Sequence, residues 1–304
     1  MSSPALGAPT PGYLASAVAA CRPLYLPTSV VPALMGCLVA LGVEGATFAL
    51  LPVVLLAVLL VHAGTDACNE AEDFANGVDV RTDKVENSQV FLSGALSVEQ
   101  GRRLYAALFG AAFLLGVVLC LASTWWLLLY GALGILGGWL YTGGPKPFKY
   151  VGLGDPFIVF LMGPLLTQGA YTALTADAFD TVAFCVGFVP GFLILAVLQS
   201  NNANDIADDA AAGVRTLAVR LGNPWASRLI AASLLLAFVA PVVLVAAGVL
   251  GAWALLVLLA LPIAVGHART AVTALHEGLT PALAQLHMLA TVLLAVGVVL
   301  DRGF

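Results

Sequence analysis

Near residue 200 the chain carries Asn201, Asp205 and Asp209 at i, i+4 and i+8, with Asn202 and Asp208 beside them. On a helix that spacing lines three oxygen-bearing side chains along one stripe. Carboxylates so close repel one another unless a cation sits between them, and the usual partner of an all-oxygen set is a hard divalent ion such as Mg2+. A second group lies upstream. Asp66, Asn69 and Asp73 fall at i, i+3 and i+7, and Asp79 follows after Asn76-Gly77, which reads as a helix stop. Asn69–Asp73 (NEAED) matches Asn201–Asp205 (NNAND) at three of five positions, and GVDVRT at Gly77–Thr82 echoes GVRT at Gly213–Thr216. Two related acidic segments suggest two clusters facing one cavity, a repeat logic common in polytopic proteins. The plain alternative is a pair of solvated acidic loops.

The elements that must hold these groups are set by composition. The 304 residues are 61% hydrophobic and 10% charged, with a mean hydropathy of +1.01, far outside the range of soluble domains. An all-α integral membrane protein follows. Runs free of charge, measured against the roughly 20 residues a spanning helix needs, give nine spans. They are Leu24–Val43, Gly45–Thr65, two within Leu104–Pro145 turning near 122–124, Pro156–Ala176, Thr181–Asn204, two within Leu229–Gly266 turning near 248–251, and Leu279–Leu300. Residues 1–21 read as a disordered Pro/Gly/Ser-rich tail and 22–304 as a single polytopic domain.

Of the twelve Lys and Arg residues, eleven fall before the first span or in loops after even-numbered spans, and only Arg302 falls on the other side. That asymmetry predicts a cytoplasmic N-terminus and cytoplasmic acidic loops capping a central cavity. The net charge of −5 and the lack of a basic stripe exclude a nucleic-acid binder. Five cysteines, Cys21, Cys37, Cys68, Cys120 and Cys185, show no C-x-x-C spacing and read as small packing residues. His62, one turn before Asp66, reads as an intramembrane hydrogen-bonding residue or a functional one; His267, His276 and His287 lack metal-ligand spacing. Arg22 is either a membrane-edge anchor or an anion ligand at the cavity mouth. The loop YTGGPKPFKYVGLGDP, from Tyr141 to Pro156, could bring backbone and the ammonium groups of Lys146 and Lys149 to a phosphate; composition alone favours a tight turn with anchoring lysines.

NEAEDFANGVD, YTGGPKPFKYVGLGDP and NNANDIADDAAAGVRTLAVRLG together resemble the UbiA-type membrane prenyltransferases, and within them the menaquinone branch that acts on 1,4-dihydroxy-2-naphthoate. The likeness runs from Arg22 to the last span. Asn69, Asp73 and Asp79 match the first motif with the wider spacing of that branch; Asn201, Asn202, Asp205, Asp209, Gly213, Thr216, Leu217 and Ala218 match the second. Two positions depart: Asp155 stands where the family commonly has Glu, and no arginine lies near Gln89.

The resemblance implies nine helices around a central cavity and Mg2+ bridging Asp73 and Asp79 on one side and Asp205 and Asp209 on the other. It implies a prenyl diphosphate held with help from Asn69, Asn201, Asn202, Lys84, Arg215 and Lys149. It also implies an aromatic acceptor of the dihydroxynaphthoate kind near Tyr141 and Arg22. Charge neutralisation would release diphosphate, and the allylic cation would be attacked by the electron-rich ring in a cavity that excludes water. A terpene cyclase would ionise the same diphosphate without an acceptor. An ion-coupled transporter would place its carboxylates near the bilayer midplane rather than at helix ends. A purely structural membrane protein would have no use for two matched Asn/Asp ladders.

Overall fold

Long apolar runs leave the backbone no partner but itself, so each run folds as a helix that satisfies its own hydrogen bonds. The computed structural model describes residues 12–78 and 89–304, and these are all helical or loop. The main helices are α1 (Tyr13–Ala20), α2 (Pro27–Val39), α3 (Leu51–Ala75), α4 (Val98–Ala122), α5 (Trp126–Thr142), α6 (Gly154–Phe160), α7 (Leu166–Thr175), α8 (Thr181–Val186) and α9 (Phe188–Asn204). They continue with α10 (Ile206–Ala211), α11 (Leu217–Leu221), α12 (Asn223–Ala246), α13 (Leu261–Thr273) and α14 (Leu279–Asp301).

Seven stretches among the described residues are long and apolar enough to cross a membrane: 48–75, 98–122, 154–175, 181–204, 223–246, 252–273 and 279–301. The other two expected spans are occupied by shorter apolar helices, α2 with 13 residues and α5 with 17. In α2 the cause is local. The chain leaves the helix at Ala40 and turns through Gly42 and Gly45, both at positive φ (78° and 80°) that glycine adopts without steric cost. The turns expected near 122–124 and 248–251 lie where the helices break, after Ala122 and after Ala246.

Two expectations are corrected. The tail was expected to run unstructured to residue 21, but Tyr13–Ala20 is helical, with Ser16, Ala17 and Ala20 buried. Small side chains let that helix lie close against its neighbours, which offsets its ordering cost. The second span was expected to end at Thr65, but α3 continues as one helix through Asp66, Asn69 and Asp73, which share a face as their spacing implies, and ends at Ala75 beside the expected stop, Asn76-Gly77. Three of its charges find partners on other elements: Glu70 pairs with Arg22, Glu72 with Arg102 and Tyr105, Asp73 with Lys149 and Tyr150.

Packing brings these helices around one cavity. Gly64 of α3 faces Phe109 of α4, where a Cβ would come within 2.9 Å of the ring. Stretch 154–175 is interrupted at Leu161–Leu165, where Pro164 lacks an amide donor and Gly163 leaves helical geometry (φ −115°, ψ −105°). Broken backbone at this depth is tolerated only when buried in protein. Here Gly163 abuts the backbone of Gly187 and Gly191, and Thr167 Oγ1 donates to the Ala183 carbonyl at 2.7 Å. The break turns Leu161, Met162, Leu165 and Leu166 toward the cavity. At the end of the bundle away from Asp73, Asp301 accepts from the amides of Trp253 (3.0 Å) and Ala254 (3.2 Å), while Arg302 Nη1 donates to Leu41 O at 2.8 Å.

Candidate active site

The cavity, about 330 Å³, is walled by apolar residues of α3, α4, α5, α7 and α9. Its polar lining includes Arg22, Asp66, Asn69, Tyr141, Lys149, Asn201 and Asn202. An apolar sleeve with polar groups collected at helix ends suits an amphiphile with a charged head.

The two acidic segments end alike. In the first, Gly77 (φ 75°) closes the helix and Val78 N–H donates to Asp73 O at 2.9 Å; in the second, Gly213 (φ 79°) does so and Val214 N–H donates to Asp209 O at 2.8 Å. These are glycine-terminated helix caps of the Schellman kind. They make Asp73 the counterpart of Asp209 and Asn69 that of Asp205. The sequence match had paired Asn69–Asp73 with Asn201–Asp205, one helical turn out of register. Both capped carboxylates are buried, Asp73 at 0% and Asp209 at 1% exposure, which sets them apart from half-buried Asp205. The Asn201, Asp205 and Asp209 stripe persists through a bend: α9 ends at Asn204, yet Asp205 N–H still reaches Asn201 O and Asp209 N–H reaches Asp205 O. Asn201 Nδ2 donates to Asp205 Oδ2 at 3.0 Å, and Thr216 Oγ1 lies 3.5 Å from Asp209 Oδ2.

The Gly/Pro-rich loop 143–153 joins the segments. Lys149, 9% exposed, donates from Nζ to Asp73 Oδ2 at 2.6 Å, and Tyr150 OH donates to Asp73 Oδ1 at 2.8 Å. Toward the second segment, Tyr150 O accepts from Arg215 N–H at 3.2 Å and Val151 O from Arg220 Nη2 at 3.0 Å. The tight turn that composition favoured is present, and it also carries Lys149 into the site. Burial and the Asp73 carboxylate hold the Tyr150 phenol well above the usual tyrosine range, so it remains a neutral donor.

Several expected residues are brought together: Asn69, Asp73, Tyr141, Lys149, Asn201 and Asn202 border the cavity or pair at its polar end. Asn69 Nδ2 donates to Thr142 Oγ1 at 2.8 Å, which ties α3 to α5. Arg22 lines the cavity while its guanidinium pairs with buried Glu70, and its backbone takes a left-handed conformation (φ 45°) uncommon for a residue with a side chain. Arg215 is exposed, and only its backbone is seen to contact the loop. Asp79 and Lys84 lie outside the described residues. Among the described residues no three His, Cys, Asp or Glu side chains converge as a metal cluster.

Sequence reasoning missed Tyr150, although it adjoins Lys149, and missed Glu70 as the partner of Arg22. It also missed the pairing of Gln199 Nε2 with Asp155. A buried glutamate beside an arginine across the fold leaves no local pattern to read.

Fold and site together define a polytopic helical protein whose apolar cavity ends in charged and amide side chains. The sequence profile of the UbiA prenyltransferase family matches residues 29–289, and the chain belongs to that family; it is a prenyltransferase. A 1,4-dihydroxy-2-naphthoate octaprenyltransferase from Bacillus subtilis is 33% identical over 247 residues, covering 79% of this chain and 77% of that protein. A protein of the same name from Mycobacterium tuberculosis is 36% identical over 211 residues, covering 68% and 70%. Among solved structures, a UbiA homolog from Aeropyrum pernix has a TM-score of 0.65 at 18% identity, covering 92% of this chain and 97% of that one. A UbiA homolog from Archaeoglobus fulgidus bound to DMAPP and Mg2+ has a TM-score of 0.63 at 16% identity, covering 92% and 99%.

Proposed function

We propose that this enzyme transfers a prenyl group from a prenyl diphosphate to 1,4-dihydroxy-2-naphthoate in a Mg2+-dependent reaction. Nine spans and a cytoplasmic mouth complete the reading, with α2 and α5 as the two short crossings and eleven of twelve Lys and Arg residues on that side. Residues 22–304 act as one polytopic domain. The observation that carries the proposal is the pair of identically capped, buried carboxylates, Asp73 and Asp209, at the polar end of an apolar cavity. The relatives named for dihydroxynaphthoate prenylation support the acceptor.

The donor set fits a hard cation. Asp73 and Asp209 are buried all-oxygen ligands, and Asp73 already holds the positive charge of Lys149. Asp73, Asp79, Asp205 and Asp209 would hold Mg2+, which when bound would neutralise the diphosphate and make it a leaving group. Lys149, paired with Asp73, and Arg215 would add donors to the diphosphate oxygens, with Lys84 a third candidate from the sequence. Asn69, Asn201 and Asn202 orient the head, and the apolar wall holds the tail and keeps water from the allylic cation. Tyr141 borders the same space with an electron-rich ring, and Arg22, which lines it while paired with Glu70, would take the acceptor carboxylate.

The test is direct. Purified protein in lipid nanodiscs, given Mg2+, labelled octaprenyl diphosphate and dihydroxynaphthoate, should yield a prenylated naphthoquinol with release of CO2. Product from 4-hydroxybenzoate but not from dihydroxynaphthoate would overturn the acceptor assignment, and diphosphate release with a cyclic hydrocarbon product would indicate a cyclase.

A further inference from the structure

Two turns below Asp73 on the same face of α3, the cavity wall carries a group that diphosphate chemistry leaves unused. Seven residues of helix separate Asp66 from Asp73, about 10 Å along the axis at the usual rise. His62 stands one further turn down, and Ser29 faces it from α2. Ser29 Oγ lies 3.0 Å from Leu26 O and 2.8 Å from His62 Nδ1. A serine has one proton, and here it goes to the Leu26 carbonyl, which can only accept. With the proton on the Leu26 side, Ser29 Oγ accepts from His62 Nδ1–H, and in that tautomer Nε2 keeps a lone pair.

That lone pair faces Asp66 Oδ2 at 3.6 Å, and Oδ2 is a buried atom with no hydrogen-bond partner among the described residues. In that tautomer the pair presents two acceptors, and Asp66 Oδ2 meets no donor within hydrogen-bond distance among the described residues. Such an arrangement costs free energy unless something supplies a proton. A hydroxyl of a molecule in the cavity would supply it to both.

We propose that Asp66 and His62 form the acceptor-hydroxyl station of the proposed prenyl transfer, with Ser29 as a positioning residue that fixes the imidazole. The inference rests on the aromatic-acceptor reading above. In a dihydroxynaphthoate the hydroxyl next to the carboxylate is conjugated to the carbon that bears that carboxylate. As the ring carbon bonds to the allylic carbon, and the bond from that carbon to the diphosphate oxygen breaks, the hydroxyl proton passes to Asp66. The oxygen electrons become a ring C=O. The intermediate is then a β-keto carboxylate. It loses CO2, the freed electron pair restores the aromatic ring, and the oxygen takes the proton back from Asp66. Protons and electrons balance with no further reactant. Arg22, on the same cavity, would hold the carboxylate beside this hydroxyl.

Asp66→Asn and Ser29→Ala test it, assayed with dihydroxynaphthoate and with each of its two mono-O-methyl ethers. On the parent acceptor, Asp66→Asn should lower kcat by about 100-fold and Ser29→Ala by roughly tenfold, the usual scale for a positioned general base and its support. Titrated prenyl diphosphate binding should stay within about twofold of wild type for both. Methylation of the relevant hydroxyl should lower wild-type kcat to the level of Asp66→Asn and cost that variant nothing more, because both changes remove one proton transfer. The inference is overturned if both variants keep full kcat, if the ether penalty is the same in Asp66→Asn as in wild type, or if prenyl diphosphate binding falls along with turnover. A wild-type protein that prenylates no dihydroxynaphthoate would instead overturn the acceptor assignment, a separate and recognisable failure.

Discussion

Lys149 Nζ sits 2.6 Å from Asp73 Oδ2, both side chains withdrawn from solvent, so an ion pair backed by the Tyr150 hydroxyl ties the loop 143–153 to the end of α3. Removing one partner of a buried pair strands the other and typically costs about 3–5 kcal/mol. Lys149→Met should therefore lower the melting temperature of the metal-free protein. Added Mg2+ should recover part of that loss, since a bound cation would compensate the stranded Asp73 carboxylate. A melting deficit indifferent to Mg2+ would show that Asp73 does not face the ion site.

Asp73→Asn and Asp209→Asn occupy equivalent caps and should lose activity by similar factors, roughly 100- to 1000-fold each, as expected for groups that support developing charge. The register from the caps makes Asp205→Asn the counterpart of a change at Asn69. Turnover measured across a Mg2+ titration checks this, and near-normal activity in chelator would remove the metal from the reaction.

Arg22 is held by Glu70 as well as by its own left-handed backbone. Arg22→Ala should raise the apparent KM for the aromatic acid at least tenfold while leaving that for the prenyl diphosphate within about twofold. Arg22→Lys should restore only part, because an ammonium lacks the bidentate fork. Equal effects on both substrates would place Arg22 at the diphosphate.

Gly134 borders the cavity, and a Cβ built there meets nothing within 4 Å. Gly134→Leu should fill tail space without a packing clash. The expected outcome is a shift of kcat/KM toward shorter prenyl diphosphates, read by competition between two chain lengths; an unchanged preference would route the tail elsewhere.

Orientation is tested in a cysteine-free background. Ala211→Cys should react with a membrane-impermeant maleimide from the cytoplasmic face, and Gly248→Cys from the opposite face. Labelling of both from one face would break the proposed topology.

Apolar runs announced every helix that frames the cavity, because a backbone in lipid has few alternatives to a helix. The turns after Ala122 and Ala246 were readable for the same reason: they interrupt otherwise continuous hydrophobicity. Asp73, Asp209 and the asparagines were readable as a repeated local pattern. Their register was not, because three matches in five residues favour Asn69–Asp73 against Asn201–Asp205, whereas the caps at Gly77 and Gly213 depend on backbone geometry. Glu70, Tyr150 and Ser29 act through partners 48, 77 and 33 positions away, separations at which a single sequence carries no signal. The helix through Asp66, Asn69 and Asp73 and its stop at Asn76-Gly77 were legible in the spacing, whereas its continuity with the span before Thr65 was not, since the partners that neutralise its charges lie on other elements.

The contacts that shape the cavity differ in kind along its depth. Around Gly163, Gly187 and Gly191 backbone meets backbone, while at the polar end the elements are joined by charge, including the half-exposed Arg102 against Glu72. Ionic strength acts on the solvent-facing pairs of the second kind, Arg102 with Glu72 among them, much more than on buried Lys149 with Asp73, and not on the first. A preparation in concentrated salt would thus loosen the entrance while leaving the barrel of the vessel intact, and the rate at which ligand enters and leaves should respond to salt more steeply than the melting temperature does.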